Sequence, residues 1–121
     1  MDDATKYLLS QIDSCSVEEI VILLLNRCIK HMKDLIKCIE TKEIEKRYLA
    51  LTKVSDILSF LILNIKEDKL PSLCKIIKIC FNKLIYIDRH KDIAQAEDMI
   101  RILKMMKEMF NEKLHQSEEH Q

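Results

Sequence analysis

Apolar side chains return every three to four residues along four long stretches of this chain, the spacing that gathers them on one face of an α-helix. The first stretch opens at Ser16. Glu19, three positions on, gives the capping-box spacing, in which each side chain satisfies an orphan backbone donor of the first turn. At about 100° per residue its stripe is Val21, Ile22, Leu25, Cys28, Ile29, Met32, Leu35, Ile36 and Ile39, with Lys30, Lys33, Asp34 and Lys37 opposite. Such a stripe is wide enough to touch two neighbouring helices. The second stretch, Ile44 to about Ile65, puts Ile44, Tyr48, Leu51, Val54, Leu58, Leu61, Ile62 and Ile65 on its core side. The third buries Leu73, Cys74, Ile77, Cys80, Phe81, Leu84 and Ile85. The fourth begins at Asp92, a cap with Gln95 three residues on, and turns Ala96, Met99, Ile100, Leu103, Met106 and Phe110 to one side.

Little interrupts these stretches. The chain has no glycine and a single proline, Pro71, placed where the first turn of the third helix tolerates a missing donor. The joint from Glu40 to Glu43 therefore reads as a tight polar turn. Helices of this length with joints of a few residues predict an all-α fold, an antiparallel up-down four-helix bundle with a short N-terminal docking helix as an option. No segment alternates with a period of two, and the helices share no common repeat, which disfavours a sheet and a solenoid. The expected organisation is a leader over residues 1–15, the bundle over 16–115 and a frayed polar tail over 116–121.

Composition narrows the function classes. At 14.3 kDa the chain is one domain and buries a sufficient core without metal or disulfide. Acidic and basic residues both number 20, so no cationic excess is available for nucleic acid or anionic lipid. Met1 to Gln11 lacks a basic start followed by an apolar core, and the longest apolar run, Ile20 to Leu25, is far short of the roughly 20 residues a span requires. A soluble cytoplasmic protein is expected. Cys15, Cys28, Cys38, Cys74 and Cys80 are odd in number and form no Cys-x-x-Cys pair, which suits a reducing compartment where thiols act as small apolar groups.

Sites for chemistry are missing. Without glycine there is no phosphate-cradling loop of the Walker or Rossmann kind. No histidine among His31, His90, His115 and His120 lies in a His-Glu-x-x-His pattern, and only Glu112 has a histidine, His115, at the Glu-x-x-His spacing of di-iron bundles. Cys28 lies on the core stripe and His31 about 80° off it, so their side chains diverge and with Cys38 they are not expected to hold a metal. The expectation is a protein with no cofactor, no metal and no catalytic residues, and charged residues elsewhere form a solvated face.

Apolar residues also fall outside the core stripes. Leu23 points about 200° from Val21 and Ile20 is displaced by about 100°. Leu49, Phe60 and Leu63 lie nearly opposite Leu51. Either the bundle and its leader bury this surplus, or it forms grooves for amphipathic client helices or an oligomer seam. Met105, Met106 and Met109 on the fourth helix would make such a surface adaptable.

The order of short motifs adds a further reading. Ser16-Val17-Glu18-Glu19-Ile20 leads into Leu23-Leu24-Leu25-Asn26-Arg27 and Cys28-Ile29-Lys30; then come Ile39-Glu40, Glu45-Lys46-Arg47, Leu51-Thr52-Lys53-Val54 and Ile57-Leu58. Ile76 to Cys80, Lys83-Leu84, Ile87-Asp88 and the closing aromatic Phe110 follow. This order resembles the flagellin-specific export chaperones of the bacterial flagellar secretion system, the FliS family, over about Ser16 to Phe110. Val17 stands where the family has proline, Leu25 where it has tyrosine, Arg27 where it has glycine, and Ile77 and Ile79 where it has the two tyrosines of the third helix. These departures bear on the client more than on the fold.

The resemblance implies a four-helix bundle that binds without catalysis. It implies that the disordered C-terminal segment of flagellin folds into helices along the bundle in the cytoplasm and is kept from polymerising before type III export. The ordering cost of such a client, about 2 to 5 kcal/mol or more, keeps the complex releasable. On this implied reading Ile20, Leu23 and Leu24 on helix one and Ile76, Ile79 and Cys80 on helix three supply groove contacts, and Tyr7 with its leader covers the groove when no client is present. An export gate or a co-chaperone is a further implied partner. The alternative is a self-associating bundle, an adaptor or structural protein whose exposed stripe is a homodimer seam.

Overall fold

A computed structural model describes residues 17–65 and 70–119. Four helices follow one another: α1 (Val17–Thr41), α2 (Ile44–Asn64), α3 (Pro71–His90) and α4 (Ile93–Glu119). Helix α4 is assigned through Leu114 to Glu119. Helix α1 packs extensively against both α2 and α4, whereas α3 meets the same two helices less extensively. The helices therefore form a ring in the order α1, α2, α3, α4, with α1 and α3 on one diagonal. The result is the four-helix bundle that the periodicity predicts.

The joints explain how a chain without glycine turns so tightly. Lys42 takes a left-handed conformation (φ 59°), with its N–H donating to the Ile39 carbonyl at 3.3 Å and the Glu43 N–H to the Cys38 carbonyl at 3.0 Å. This is a Schellman closure with lysine where glycine is usual. Lys91 is also left-handed at the end of α3 (φ 52°) but closes with the simpler αL bond, its N–H donating to the Ile87 carbonyl at 2.7 Å. Asp92 then caps α4 by accepting the Gln95 N–H at 3.1 Å. The Gln95 side chain does not return to close the box; its Oε1 accepts instead from Lys83 Nζ at 2.8 Å.

A left-handed L-residue costs about 1–2 kcal/mol, and glycine gives back about 0.4–1 kcal/mol of that through a freer unfolded chain. Lys91→Gly is therefore expected to raise the urea midpoint slightly, by the equivalent of about 0.5 kcal/mol. A clear loss of stability would mean that the lysine side chain contributes more than its backbone strain removes.

The core fills the ring. Leu25, Cys28, Met32 and Leu35 of α1, Val54 and Leu58 of α2, Ile77, Cys80 and Ile87 of α3, and Met99, Leu103 and Met106 of α4 are fully buried. All the expected core positions of α4 are buried. Three expectations on α2 and α3 are corrected: Ile44 is 62 % exposed, Tyr48 54 % and Ile85 60 %. Each sits at the edge of its stripe, on the outward side of the α2–α3 seam, and no further helix among the described residues covers that edge. In the other direction, Leu24, His31 and Cys38 lie outside the expected stripe of α1 and are buried. His31 fits because α2 offers small Ala50 beside the same cleft.

Candidate functional site

One row of uncovered apolar side chains lies along the α3–α4 seam. Its register is fixed by Lys83, whose Nζ is 2.8 Å from Asp98 Oδ2 and 2.8 Å from Gln95 Oε1. Because the two helices run in opposite directions, the turns of α3 before Lys83 lie level with the turns of α4 after Asp98. Ile76 and Ile79 thus come level with Ile102 and Met105, and Met109 extends the row. Ile79 is 50 % exposed, Met105 53 % and Met109 is likewise exposed, while Ile76 and Ile102 are half-buried against the core and form the floor. Methionine side chains are unbranched and polarizable, so this wall adapts to the shape laid on it.

The Lys83 contacts stand at one end of this row. Arg101 Nη2 adds a contact to Asp98 Oδ1 at 3.3 Å. Hydrogen bonds from Lys83 and then Arg101 hold the Asp98 carboxyl below its ordinary value. A depressed carboxylate contributes stability above its unfolded pKa, and that contribution is lost as pH falls through the lowered folded value. The clamp is therefore intact at neutral pH.

The residues expected from sequence do not form one groove. Ile76 and Ile79 lie on the α3–α4 seam. Ile20, half-buried, and Leu23, exposed, lie on α1 toward α2, on the opposite side of the ring. Leu24 and Cys80 are core residues that shape these surfaces from beneath. Tyr7 falls outside the described residues. Ile102 carried no signal of its own, because a lone isoleucine beside a core stripe reads as core until the neighbouring helix is placed.

The family model described as flagellar protein FliS matches residues 1–117. The chain belongs to the FliS family. FliS proteins are flagellar export chaperones for flagellin, so an uncovered apolar seam on a helical bundle is the kind of site that membership calls for. No curated protein matches the chain.

Other features of this FliS-family bundle are structural. Burial pushes the Cys28 thiol up to about 12, reinforced by Cys80, and pushes Cys80 itself up to about 11. Such thiols hold almost no thiolate at neutral pH and behave as apolar filler. Among the described residues no group of three His, Cys, Asp or Glu side chains converges as metal ligands do. No helix among them is long and apolar enough to cross a membrane.

A cleft of about 340 Å³ lies between α1 and α2 beside the first joint, lined by His31, Cys38 and Ala50 with Asp34, Lys37, Glu43, Lys46 and Lys53 around them. His31 Nδ1 is 3.8 Å from Asp34 Oδ2, beyond hydrogen-bond reach. Burial first, then Lys53 and Arg27, lower the His31 pKa below 6.5, against the opposing pull of Asp34. As pH falls below 6.5 the unfolded chain takes up this proton first, so stability declines until the lowered folded value is passed. His31→Gln is expected to flatten that part of the stability profile, measured by urea unfolding from pH 7.5 downward at intervals of about half a unit across the histidine range. An unchanged profile would place the titration in another group.

Proposed function

We propose that this protein holds the C-terminal segment of flagellin in the cytoplasm and keeps it from polymerising until export. The client folds into a helix along the α3–α4 groove, laying its apolar face on Ile76, Ile79, Ile102, Met105 and Met109. The row of uncovered apolar side chains on this seam of a FliS-family chain carries the reading. Burying an isoleucine or methionine is worth about 1.5–3 kcal/mol, so a few such contacts offset the client's ordering cost of about 2–5 kcal/mol and leave a releasable complex. Ile20 and Leu23 lie toward the same end of the bundle as Met109, on the opposite seam. They give a second contact to a segment that passes round that end. Binding requires no cofactor and no chemical step.

Titration calorimetry of the full chain with the C-terminal helical segment of flagellin from its own genome tests this. One-to-one saturable binding with a negative heat-capacity change is expected, since apolar burial carries that signature. Absence of heat together with an unshifted melting temperature would refute it.

A further inference from the structure

The α2–α3 seam carries a second surface, separate from the client groove. Its register is set by Arg47 Nε and Asp88 Oδ1 at 3.9 Å and, at the other end, by the Cys74 thiol near the Ile65 carbonyl at 3.8 Å. Beside the first pair lie the exposed Ile44, Tyr48 and Ile85 already described, with the Arg47 guanidinium 5.1 Å from the centre of the Tyr48 ring. Arg47 Nε and Asp88 Oδ1 are buried and have no hydrogen-bond partner among the described residues. The pair is only partly withdrawn from water, the Arg47 side chain being 11 % exposed and that of Asp88 35 %.

Charge tells what this edge accepts. The outward edge of α3 carries Lys75 and Arg89, both exposed, and the one acid of α3, Asp88, is engaged with Arg47. The nearest acids of α2, Glu45 and Asp56, lie farther round that helix, by roughly 60–80° beyond Tyr48. The seam is thus apolar at one end and basic along one wall, on a chain whose net charge is zero. From Lys75 to Arg89 the rise is about 21 Å, the length of a helix of about four turns.

We propose that this edge docks an acidic amphipathic helix of a partner protein, with apolar side chains over Ile44, Tyr48 and Ile85 and carboxylates toward Lys75 and Arg89. A second copy of the chain meeting this edge through the same edge brings the same cations and neutralises none of them. A nucleic acid would leave the isoleucines and the tyrosine edge without apolar partners.

The test is fluorescence anisotropy of the full chain with a labelled four-turn model peptide bearing leucines on one face and glutamates beside them, against its counterpart with lysines for the glutamates. The glutamate peptide is expected to bind at least tenfold more tightly. Ile85→Asp and Arg89→Gln, at exposed positions where the melt changes little, are each expected to weaken it at least tenfold. Ile79→Asp leaves this peptide bound, and Ile85→Asp leaves flagellin binding as it was, so the two proposals fail independently. Equal affinity for both peptides overturns the docking proposal, as does displacement by a single-stranded oligonucleotide. Loss through Ile79→Asp rather than Ile85→Asp also overturns it, and so does a doubled mass that Ile85→Asp abolishes.

Discussion

Leu103→Ala is expected to lower the free energy of unfolding by about 2–5 kcal/mol, out of the roughly 5–15 kcal/mol typical of a domain. Leu103 is fully buried on α4 between Met99 and Met106, in the same cluster as Leu25, Cys28 and Met32 of α1. These two helices share the most extensive packing in the bundle. The truncation removes apolar contacts and leaves a cavity that the surrounding helices can only partly close. Met106→Leu, which nearly conserves volume, costs less than about 1.5 kcal/mol at an equally buried position. Urea unfolding of both variants measures the contrast. Similar small losses for the two would mean that the α1–α4 interface is loose.

The double variant Ile79→Asp, Met105→Asp is expected to weaken binding of the flagellin segment at least hundredfold, about 2.8 kcal/mol at 1.4 kcal/mol per tenfold. Both positions are about half exposed in the free chain, so its stability should change by no more than about 0.5 kcal/mol per site. In the complex each aspartate would be covered without a partner, and that desolvation opposes binding. Calorimetry and thermal melting together separate the two effects. A variant that binds normally would move the client elsewhere, and one that unfolds would make these residues core.

The sequence revealed the helices far better than their neighbours. Periodicity found the buried face of α4 from Ala96 to Phe110, and cap chemistry found Asp92 and Pro71 at the starts of α4 and α3. A period of about 3.6 residues fixes a helix's inward centre, but the edges of its stripe are buried only where another helix lies against them. That is why Ile44, Tyr48 and Ile85 are exposed although they continue their stripes, and why His31 is buried although it leaves its own. The ring order is a long-range fact. It separates Ile20 and Leu23 from Ile76 and Ile79, and it brings Ile102, Met105 and Met109 beside the latter. Methionines Met105 and Met109 were legible as adaptable surface, but their partner helix was not.

Methyl chemical-shift mapping of the labelled chain during titration with the flagellin segment tests the central claim most directly. Shifts concentrated on the methyl groups of Ile76, Ile79, Ile102, Met105 and Met109, with smaller ones at Ile20 and Leu23, are the predicted result. Shifts confined to Ile20 and Leu23, or to Ile44 and Ile85 on the α2–α3 seam, would contradict the assignment of the α3–α4 groove as the client seat.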